Sequence, residues 1–366
     1  MEMLSNPEKA RYNRHLILAE FGEKAQEKLK AAKVLVIGAG GLGAPVLQYL
    51  TAAGVGTIGI IDGDSVDESN LQRQVVFAEN DIGKMKADAA KSNLQAQNSL
   101  VNFRSHAFYL STENALQIIG EYDLIVDGSD NFQTRYLVSD ACVILKKPLV
   151  FGSIFKFEGQ VSLFNWNEGP TYRCLYPRPP GPNEVPNCSD VGVLGVLPAV
   201  VGSIMTNEVI KVIAEIGENL SGRLLLYNAL ELTFKELKFN KNTTDIDELL
   251  SNYDVFCGVV ETPNSINVHE LKLWMDEKRK FQLIDVREMP ELAICKLESD
   301  HLPLSDLGHQ FEIVKDDRPV VIYCHHGMRS QSAINFLGDK GCKNLINLEG
   351  GIHAWAAEID PTIRIY

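Results

Sequence analysis

The chain has 366 residues, of which 45% are hydrophobic and 23% charged, and its formal net charge at pH 7 is −13. This length is too great for one ordinary core, so we expect a globular protein of two domains. The acidic balance argues against a nucleic-acid partner, because nucleic acids bind to basic surfaces.

The N-terminus, the cysteines and the most apolar segment indicate the compartment. Met1 is not followed by a basic segment and an apolar run, so we expect no signal peptide. Seven scattered cysteines form no disulfide framework, which favours the reducing cytoplasm. Residues 191–213 are strongly apolar but include Pro198, Glu208 and Lys211, so we expect a buried helix and no membrane contact.

Strands and helices alternate along the first half of the chain. The predicted helices cover residues 8–30, 84–97, 112–119 and a segment after Gly43, and the predicted strands cover 33–37, 57–62, 103–110 and 123–130. This alternation predicts an α/β fold of the Rossmann type, with a parallel sheet flanked by helices. Residues 150–165 alternate with period two, so we expect antiparallel strands there and a mixed sheet overall.

Composition divides the chain into two domains. We assign the first to residues 1–245, a linker to 246–262 and a second, smaller α/β domain to 263–366. The linker region is polar and lacks apolar periodicity, whereas apolar strands and helices alternate again after it. Residues 176–190 are rich in Pro, Gly and Asn, which predicts a long mobile loop.

The segment VLVIGAGGLG, residues 34–43, ends a β-branched run in a cluster of glycines. Gly38, Gly40 and Gly43 match the turn that presents backbone N–H groups to a phosphate. Asp62 follows about twenty residues later, where a ribose-binding acid is expected. On these residues alone, a dinucleotide and ATP both stay open as the ligand.

Polar residues after the second predicted strand favour ATP. Asn70, Arg73 and Gln74 follow the end of that strand, and Lys86 lies on the next predicted helix. A dinucleotide site needs one acid here, whereas the fork of an arginine pairs with phosphate oxygens in bidentate fashion. Asp130 ends another strand, where a carboxylate can hold Mg²⁺ against a nucleotide.

Several ordered motifs are shared with one family of activating enzymes. They include RYNRHLIL at residues 11–18, DIGKMKA at 81–87, DGSDNFQTRY at 127–136 and SGRLLLYNA at 221–229. Over residues 8–240 the sequence resembles the MoeB/ThiF/HesA family, relatives of the ubiquitin-activating enzymes. The resemblance implies that ATP and Mg²⁺ bind beside the glycine turn. It also implies that the C-terminal glycine carboxylate of a ubiquitin-like sulfur carrier attacks the α-phosphate, forming an acyl-adenylate and releasing pyrophosphate.

The resemblance further implies roles for individual residues. Gly41 would lie under the phosphates, Asp62 would bind the ribose and Asp130 would bind Mg²⁺. Arg14 resembles an arginine finger that reaches the site from a partner subunit, which implies a homodimer. The residues implied for nucleotide binding are Gly38, Gly40, Gly41, Asp62, Asn70, Arg73, Gln74 and Lys86.

The sequence departs from the family pattern where many relatives hold a structural zinc with two Cys-x-x-Cys pairs. Thr171 stands in place of the first cysteine, only Cys174 remains, and no second pair appears near residues 234–245. A tetrahedral site needs four ligands, so we expect no zinc and a packing role for Cys174. Cys188 matches a cysteine that bonds covalently to the carrier or its sulfur in relatives. We predict a transfer role for it, with a non-essential surface thiol as the alternative.

The second domain contains VVIYCHHGMRS, residues 320–330, in which an apolar strand is followed directly by a loop that starts at Cys324. Cys324 and Arg329 enclose four residues, which makes a tight cradle whose backbone N–H groups and following helix would stabilise an anionic sulfur. With LIDVRE and NLEGGIHAW, the loop resembles a rhodanese domain over residues 263–366, in which Cys324 carries a persulfide and Arg329 shapes the loop. His325 and His326 are not predicted as metal ligands, because adjacent residues on one short loop seldom bind one metal together.

Joined, the two halves predict a sulfur-transfer enzyme. The first would adenylate a carrier, and the second would deliver sulfur obtained from a cysteine desulfurase or thiosulfate, giving a thiocarboxylate for a molybdopterin, thiazole or tRNA-thiolation pathway. The alternatives are an NAD-dependent oxidoreductase fused to a rhodanese, and a binding protein that docks the carrier without adenylating it. We predict a structural role for Asp285 and packing roles for Cys142, Cys257, Cys295 and Cys342.

Overall fold

The computed structural model describes residues 3–180, 192–242, 246–250, 253–258, 265–310, 313–314 and 317–364. The chain divides into two units, Met1–Gly258 and Val259–Tyr366. Each unit has its own sheet and its own hydrophobic core.

The first unit is built on a mixed sheet. Its strands are β1 (Lys33–Ile37), β2 (Thr57–Ile61), β3 (Asn102–His106), β4 (Leu124–Asp127), β5 (Leu149–Phe155), β6 (Glu158–Phe164), β7 (Arg223–Asn228) and β8 (Thr233–Lys238). Among the described residues they form one sheet in the order β3-β2-β1-β4-β5-β6-β7-β8. The pairs from β3 to β5 in this order are parallel, and those from β5 to β8 are antiparallel. The predicted Rossmann-like mixed sheet is therefore confirmed.

Helices cover both faces of this sheet. They are α1 (Asn6–Arg11), α2 (Asn13–Leu16), α3 (Gly22–Ala31), α4 (Gly43–Ala53), α5 (Lys86–Gln97), α6 (Ala115–Gly120), α7 (Phe132–Ile144), α8 (Tyr172–Leu175), α9 (Val196–Ala214) and α10 (Tyr253–Phe256). Helices α3, α4, α5 and α9 contribute to the core on one face, and α6, α7, α8 and α10 to the core on the other. Strand β1 is apolar throughout its buried part because Val34 and Val36 face the first core while Leu35 and Ile37 face the second.

Residues 8–30 are mostly helical, as predicted, but the chain forms three helices there rather than one continuous helix. Tyr12 ends α1, and Gly22 begins α3 with a φ of +64°, a left-handed conformation that glycine adopts without strain. The Tyr12 ring packs over Gly54, where a Cβ would lie 2.3 Å from the ring, and its hydroxyl accepts a hydrogen bond from Asn98 at 3.0 Å. These contacts anchor the break between helices in the core.

The apolar segment after residue 191 forms α9 and packs within the first unit, as predicted. By length and composition alone α9 could cross a membrane, but half of its most apolar window is buried inside the protein. Met205 and Val201 face strands β5 and β6, where Gly152 and Gly159 make room for them. A Cβ on either glycine would lie 2.2 or 2.3 Å from these side chains.

Part of the predicted linker, residues 246–262, packs with the first unit. Helix α10 lies against α7, and the Tyr253 hydroxyl donates a hydrogen bond to the buried Asp140 carboxylate at 2.7 Å. Arg173 donates two more hydrogen bonds to Asp140, each of 2.7 Å. Cys257 is buried in the same core. The structure therefore divides the chain at Gly258, later than the end predicted for the first domain.

The second unit is a smaller α/β structure. Its strands are β9 (Ser265–Ile266), β10 (Gln282–Asp285), β11 (Asp300–His301), β12 (Val320–Tyr323) and β13 (Leu345–Leu348). Its helices are α11 (Val268–Asp276), α12 (Met289–Leu292), α13 (Leu307–Gln310), α14 (Met328–Asp339) and α15 (Gly351–Glu358). In the part that the structure describes, the strands form a parallel sheet in the order β11-β10-β12-β13-β9.

A buried ion pair fixes the end of β10. Arg287 is fully buried and donates hydrogen bonds to both carboxylate oxygens of Asp285, the shortest of 2.6 Å. Arg287 also donates to the carbonyl oxygen of Cys295 at 2.9 Å. Asp285 thus has the structural role that was predicted for it.

Replacing Arg287 with Met should lower the free energy of unfolding of the second unit by about 3–5 kcal/mol, because the Asp285 carboxylate is left buried without its partner. The double variant Asp285→Leu, Arg287→Met should recover part of this loss, since both charges are then absent. Urea unfolding of the full chain, followed by the fluorescence of Trp274 and Trp355 in this unit, measures the change.

The matched control is Arg318→Met, which removes an ion pair with Asp317 at the surface. An exposed pair contributes little to stability, so this variant should unfold almost as the unaltered chain does. Equal losses for Arg287→Met and Arg318→Met would contradict the stabilising role of the buried pair.

Candidate functional site

The turn between β1 and α4 can close only with glycine at two positions. Gly38 has a φ of +85°, and a Cβ placed on it would lie 3.0 Å from the carbonyl oxygen of Gly128. A Cβ on Gly43 would lie 1.8 Å from the carbonyl oxygen of Gly38. The turn therefore packs against the residues that follow β4, and the partly exposed Gly40 and Gly41 form its open side.

Asp62 follows β2 and holds the glycine turn. Its carboxylate accepts a hydrogen bond from the backbone N–H of Ala39 in the turn and another from Asp64, both of 2.8 Å. Burial raises the pKa of Asp62, although these hydrogen bonds and the charge of Lys86 oppose the shift. The predicted ribose-binding acid is thus positioned directly beside the predicted phosphate turn.

Lys86 lies in the same place, held by Asp64. The Lys86 side chain is buried and its Nζ contacts Oδ2 of Asp64 at 2.9 Å. The hydroxyl of Tyr109 donates a hydrogen bond to the other oxygen of Asp64, and its ring lies over Gly63. Burial would raise the pKa of Asp64, but the hydrogen bonds from Lys86 and Tyr109 outweigh it and lower the pKa. The hydrogen bond to Asp64 raises the pKa of Tyr109 to about 12.

Arg73 and Gln74 also lie beside the glycine turn. A Cβ on Gly41 would lie 3.7 Å from Cδ of Arg73, and one on Gly40 would lie 3.8 Å from Nε2 of Gln74. Gln74 is buried, and within the described ranges its Oε1 has no hydrogen-bond partner. The Arg73 guanidinium donates to the carbonyl oxygen of Ser69 at 3.1 Å. These side chains are therefore close enough to the turn to contact a phosphate held there.

Two aspartates after β4 differ in their surroundings. Asp127 is fully buried and accepts hydrogen bonds from the backbone and hydroxyl of Ser129, at 2.9 and 2.6 Å. Burial raises the pKa of Asp127. Asp130 is exposed at the same edge of the sheet, and its charge, with those of Asp62 and Asp64, acts on the Tyr109 phenol. Asp130 is thus the carboxylate of this pair that an external ion can reach.

Arg135 is a functional candidate that the sequence pattern did not single out. Its guanidinium lies 5.7 Å from the Phe132 ring centre and 5.4 Å from that of Phe151, and donates to the carbonyl oxygen of Ser129 at 3.1 Å. Its Nε is buried and has no hydrogen-bond partner in the part of the chain that the structure describes. The sequence offered one signal for Arg135, which is its helical position five residues after Asp130. Arg135 adds a third cation to this edge of the sheet.

Other predicted residues are not joined to this cluster. Asn70 accepts a hydrogen bond from the backbone N–H of Asp67 at 3.3 Å and so caps the short turn Glu68–Asn70. Arg14 is exposed on α2, and its role across a subunit interface stays a prediction.

The two remaining cysteine predictions of the first unit have different outcomes. Cys188 lies outside the described residues, as does most of the loop predicted over 176–190. Cys174 is buried, and its sulfur accepts a hydrogen bond from the backbone N–H of Thr171 at 3.3 Å. Cys174 therefore packs at the start of α8, while the absence of zinc stays a prediction.

The cysteine loop of the second unit surrounds the sulfur of Cys324. Cys324 follows β12 and is 1% exposed, and its Sγ accepts a hydrogen bond from the Gly327 N–H at 3.1 Å. The Ser330 hydroxyl lies 3.5 Å from the same sulfur and donates to Asn347 at 2.7 Å. Because the first residues of α14 follow directly, the helix dipole also favours an anion at this sulfur.

The Arg329 side chain is held beside the loop by an ion pair. Its guanidinium makes a bidentate ion pair with Glu291 of α12, with two hydrogen bonds of 2.6 Å. This arrangement is consistent with the predicted role of Arg329 in shaping the loop, because it ties the start of α14 to a neighbouring element.

The two sites define the class of the protein: a nucleotide-binding unit with cations beside a glycine turn, followed by a unit with a cysteine-centred anion loop. The pattern of the ThiF family matches residues 12–249, and that of the Rhodanese-like domain matches residues 267–358. The chain therefore belongs to the ThiF family and carries a rhodanese-like domain, which confirms the resemblance seen in its motifs.

Known relatives contain both units. The chain is 47% identical to the probable adenylyltransferase/sulfurtransferase MoeZ of Mycobacterium tuberculosis, over 99% of this chain and 96% of that protein. It is 39% identical to the adenylyltransferase and sulfurtransferase MOCS3 of Xenopus laevis, over 99% of this chain and 89% of that protein. The solved structure of E. coli MccB with MccA-N7isoASN has a TM-score of 0.55 and 25% identity, and the match covers 61% of this chain and 69% of that one.

Replacing Gly43 with Ala should disrupt the glycine turn, because the new Cβ would lie 1.8 Å from the carbonyl oxygen of Gly38. We expect the free energy of unfolding of the first unit to fall by at least about 1–3 kcal/mol, the usual cost of overpacking. Thermal unfolding followed by circular dichroism measures the change.

Gly40→Ala is the matched control, since its Cβ would make only an ordinary contact 3.8 Å from Gln74. This variant should keep its stability to within about 1 kcal/mol. If both variants unfolded alike, the steric role assigned to Gly43 would be wrong.

Proposed function

We propose that this chain adenylates the C-terminal glycine of a ubiquitin-like sulfur carrier and then replaces the adenylate with sulfur from a Cys324 persulfide. The product is a carrier thiocarboxylate. One observation carries the proposal: the same chain has cations beside a glycine turn and a cysteine sulfur held by a backbone N–H. The names of the relatives, which pair adenylyltransferase with sulfurtransferase, support the same two activities.

The first step brings two anions together, so positioning and charge neutralisation matter more than acid–base catalysis. The carrier carboxylate attacks the α-phosphorus of ATP, and the bond to pyrophosphate breaks. No general base is required, because a C-terminal carboxylate is ionised at pH 7. Arg73 and Lys86 would neutralise the phosphates beside the turn, and Asp62 would accept hydrogen bonds from the ribose.

The acidic side chains at this edge of the sheet fit a magnesium ion. The charges of Asp62, Asp64 and Asp130 all act on the Tyr109 phenol, so these carboxylates lie at the same edge of the sheet. Carboxylate oxygens are the protein ligands that Mg²⁺ prefers. Asp130, which is exposed, would hold the ion, and the ion would neutralise charge on the nucleotide phosphates.

The second step needs a sulfur nucleophile. The terminal sulfur of a Cys324 persulfide attacks the acyl carbon of the adenylate, which forms an acyl disulfide and releases AMP. A second thiol then attacks the Cys324 sulfur, releasing the thiocarboxylate and leaving a disulfide that an external thiol reduces. We propose Cys188 as this second thiol, and a cysteine desulfurase or thiosulfate as the source of the persulfide sulfur.

ATP is favoured over NAD as the nucleotide. Arg73 and Lys86 place two cations beside the turn, where the phosphates of ATP would lie, and the names of the relatives describe transferases rather than oxidoreductases. We further propose a cytoplasmic homodimer in which Arg14 acts across the subunit interface. The carrier would belong to a molybdopterin, thiazole or tRNA-thiolation pathway.

Carrier-dependent exchange of pyrophosphate into ATP tests the first step. With Mg²⁺ and a carrier ending in Gly-Gly, of the molybdopterin or the thiazole type, the unaltered chain should catalyse exchange. Asp130→Ala should slow it by about 100-fold or more, because the variant would lose its hold on the magnesium ion that neutralises transition-state charge. The fold should persist, since Asp130 is exposed.

Asp123→Ala is the matched control, because Asp123 lies at the opposite end of β4, where its carboxylate accepts a hydrogen bond from the backbone N–H of Lys33. This variant should exchange at the normal rate. Full exchange by Asp130→Ala would remove the magnesium assignment, and no exchange with any carrier would overturn the proposed function.

Replacing Cys324 with Ser should separate the two steps. The first unit is unchanged, so exchange should stay within about twofold of normal, while thiocarboxylate formation from thiosulfate should be lost because serine cannot carry the persulfide. Mass spectrometry of the carrier C-terminus measures the product. Cys342→Ser, a second cysteine of the same unit, should retain thiocarboxylate formation, and its retention by Cys324→Ser would exclude Cys324 as the sulfur donor.

A further inference from the structure

Three imidazole rings meet beside the cysteine loop of the second unit. His325 and His326 follow Cys324 directly, and His353 is the third residue of α15. Each offers one ring nitrogen, and these nitrogens all lie within 4.8 Å of one another. The ring centres are 4.0 Å apart for His325 and His326, 4.6 Å for His326 and His353, and 5.5 Å for His325 and His353.

The backbone holds these rings together independently of any ligand. The N–H of His353 donates to the carbonyl oxygen of His325 at 3.0 Å, and that of Ile352 donates to Cys324 at 2.9 Å. Gly351 allows this approach, since a Cβ on it would lie 2.4 Å from the Cys324 carbonyl oxygen. The first turn of α15 is therefore fastened to the loop, which fixes where the third histidine stands.

One ring nitrogen of this cluster points to a ligand. Nδ1 of His353 is buried and has no hydrogen-bond partner among the described residues. A buried polar atom without a partner costs about 1–3 kcal/mol, so its persistence requires an explanation.

We propose that His325, His326 and His353 form a binding site for one divalent transition-metal ion of the Zn²⁺ type. Imidazole nitrogens select this class of ion, whereas Mg²⁺ and Ca²⁺ prefer oxygen ligands. Nitrogens bound at about 2.0–2.1 Å from a tetrahedral ion lie about 3.4 Å apart, so nitrogens that are up to 4.8 Å apart must approach by as much as roughly 1.4 Å. Rotation of the three side chains, of which His326 is exposed, would supply this movement.

The three rings leave one tetrahedral position open, and Cys324 does not fill it. Cys324 is 1% exposed, its sulfur accepts a hydrogen bond from the Gly327 N–H, and that sulfur is not among the ligand atoms that lie within 4.8 Å of one another. The site is thus separate from the sulfur that the proposed function uses, and it also differs from the four-cysteine zinc site that this chain lacks in sequence. The proposal does not depend on carrier adenylation.

Titration of the untagged full-length protein with Zn²⁺, after dialysis against a chelator, tests this site. We expect one ion to bind at these histidines. His353→Gln or His326→Gln should each weaken the Zn²⁺ affinity at least 10-fold, because disturbing a metal site usually costs about 10- to 100-fold in affinity. Co²⁺ bound to the unaltered chain should show the visible absorption of a four-coordinate ion, which the variants should lack. Without metal, the variants should unfold at the normal temperature, and Zn²⁺ should raise the Tm of the unaltered chain alone.

Two further variants locate the site. His269→Gln changes an exposed histidine of the same unit that pairs with Glu358, and it should keep the normal Zn²⁺ affinity. Cys324→Ser should also keep it. Equal affinity for His353→Gln and the unaltered chain, or loss of affinity in Cys324→Ser, would overturn the three-histidine site.

Discussion

The first site depends on the close contact between the glycine turn and the residues after β4. Gly38 touches the backbone of Gly128, and Gly43 closes the turn over Gly38, at distances where no side chain fits. Because β1, β2 and β4 are parallel neighbours, their carboxyl ends lie at one edge, where open α/β sheets bind ligands. Asp62 follows β2 and Asp130 follows β4. The contact between the glycine turn and the residues after β4 therefore determines which side chains lie around the turn.

The second unit would also stabilise an anionic group, in this case mainly with backbone N–H groups. Cys324 also follows a parallel strand, and its sulfur is stabilised by the Gly327 N–H and the start of α14. Arg329 is the arginine or lysine nearest to Cys324 in sequence, and its guanidinium donates two hydrogen bonds to Glu291. An anionic sulfur would thus be held by a fixed cradle of amides, while the ion pair keeps the cradle in shape.

Sequence patterns predicted the parts of this structure that rest on local periodicity. The strands that end at the glycine turn and at Cys324 are short apolar runs, and both were placed correctly. The hydrogen bond between Tyr109 and Asp64 was not predicted, because Tyr109 lies 45 residues from Asp64 on a loop with no motif of its own. The linker prediction missed α10 because Tyr253 and Cys257 are isolated apolar anchors in a polar stretch. These features arise from long-range packing, which a single sequence does not display.

The histidine cluster illustrates the same limit, since His325 and His326 are adjacent on one loop and the fold alone brings His353 of α15 beside them.

The charges at the edge of the first sheet bear on how the charge of a bound nucleotide would be neutralised. The ionisable groups gathered there are Asp62, Asp64, Asp127, Asp130, Arg73, Lys86 and Arg135. With all of them ionised, the carboxylates outnumber the cations, and Lys86 is already paired with Asp64. A triphosphate would add further negative charge in a partly buried place where screening is weak. The magnesium ion at Asp130 and the Arg14 side chain of a second subunit, both proposed above, would offset this charge.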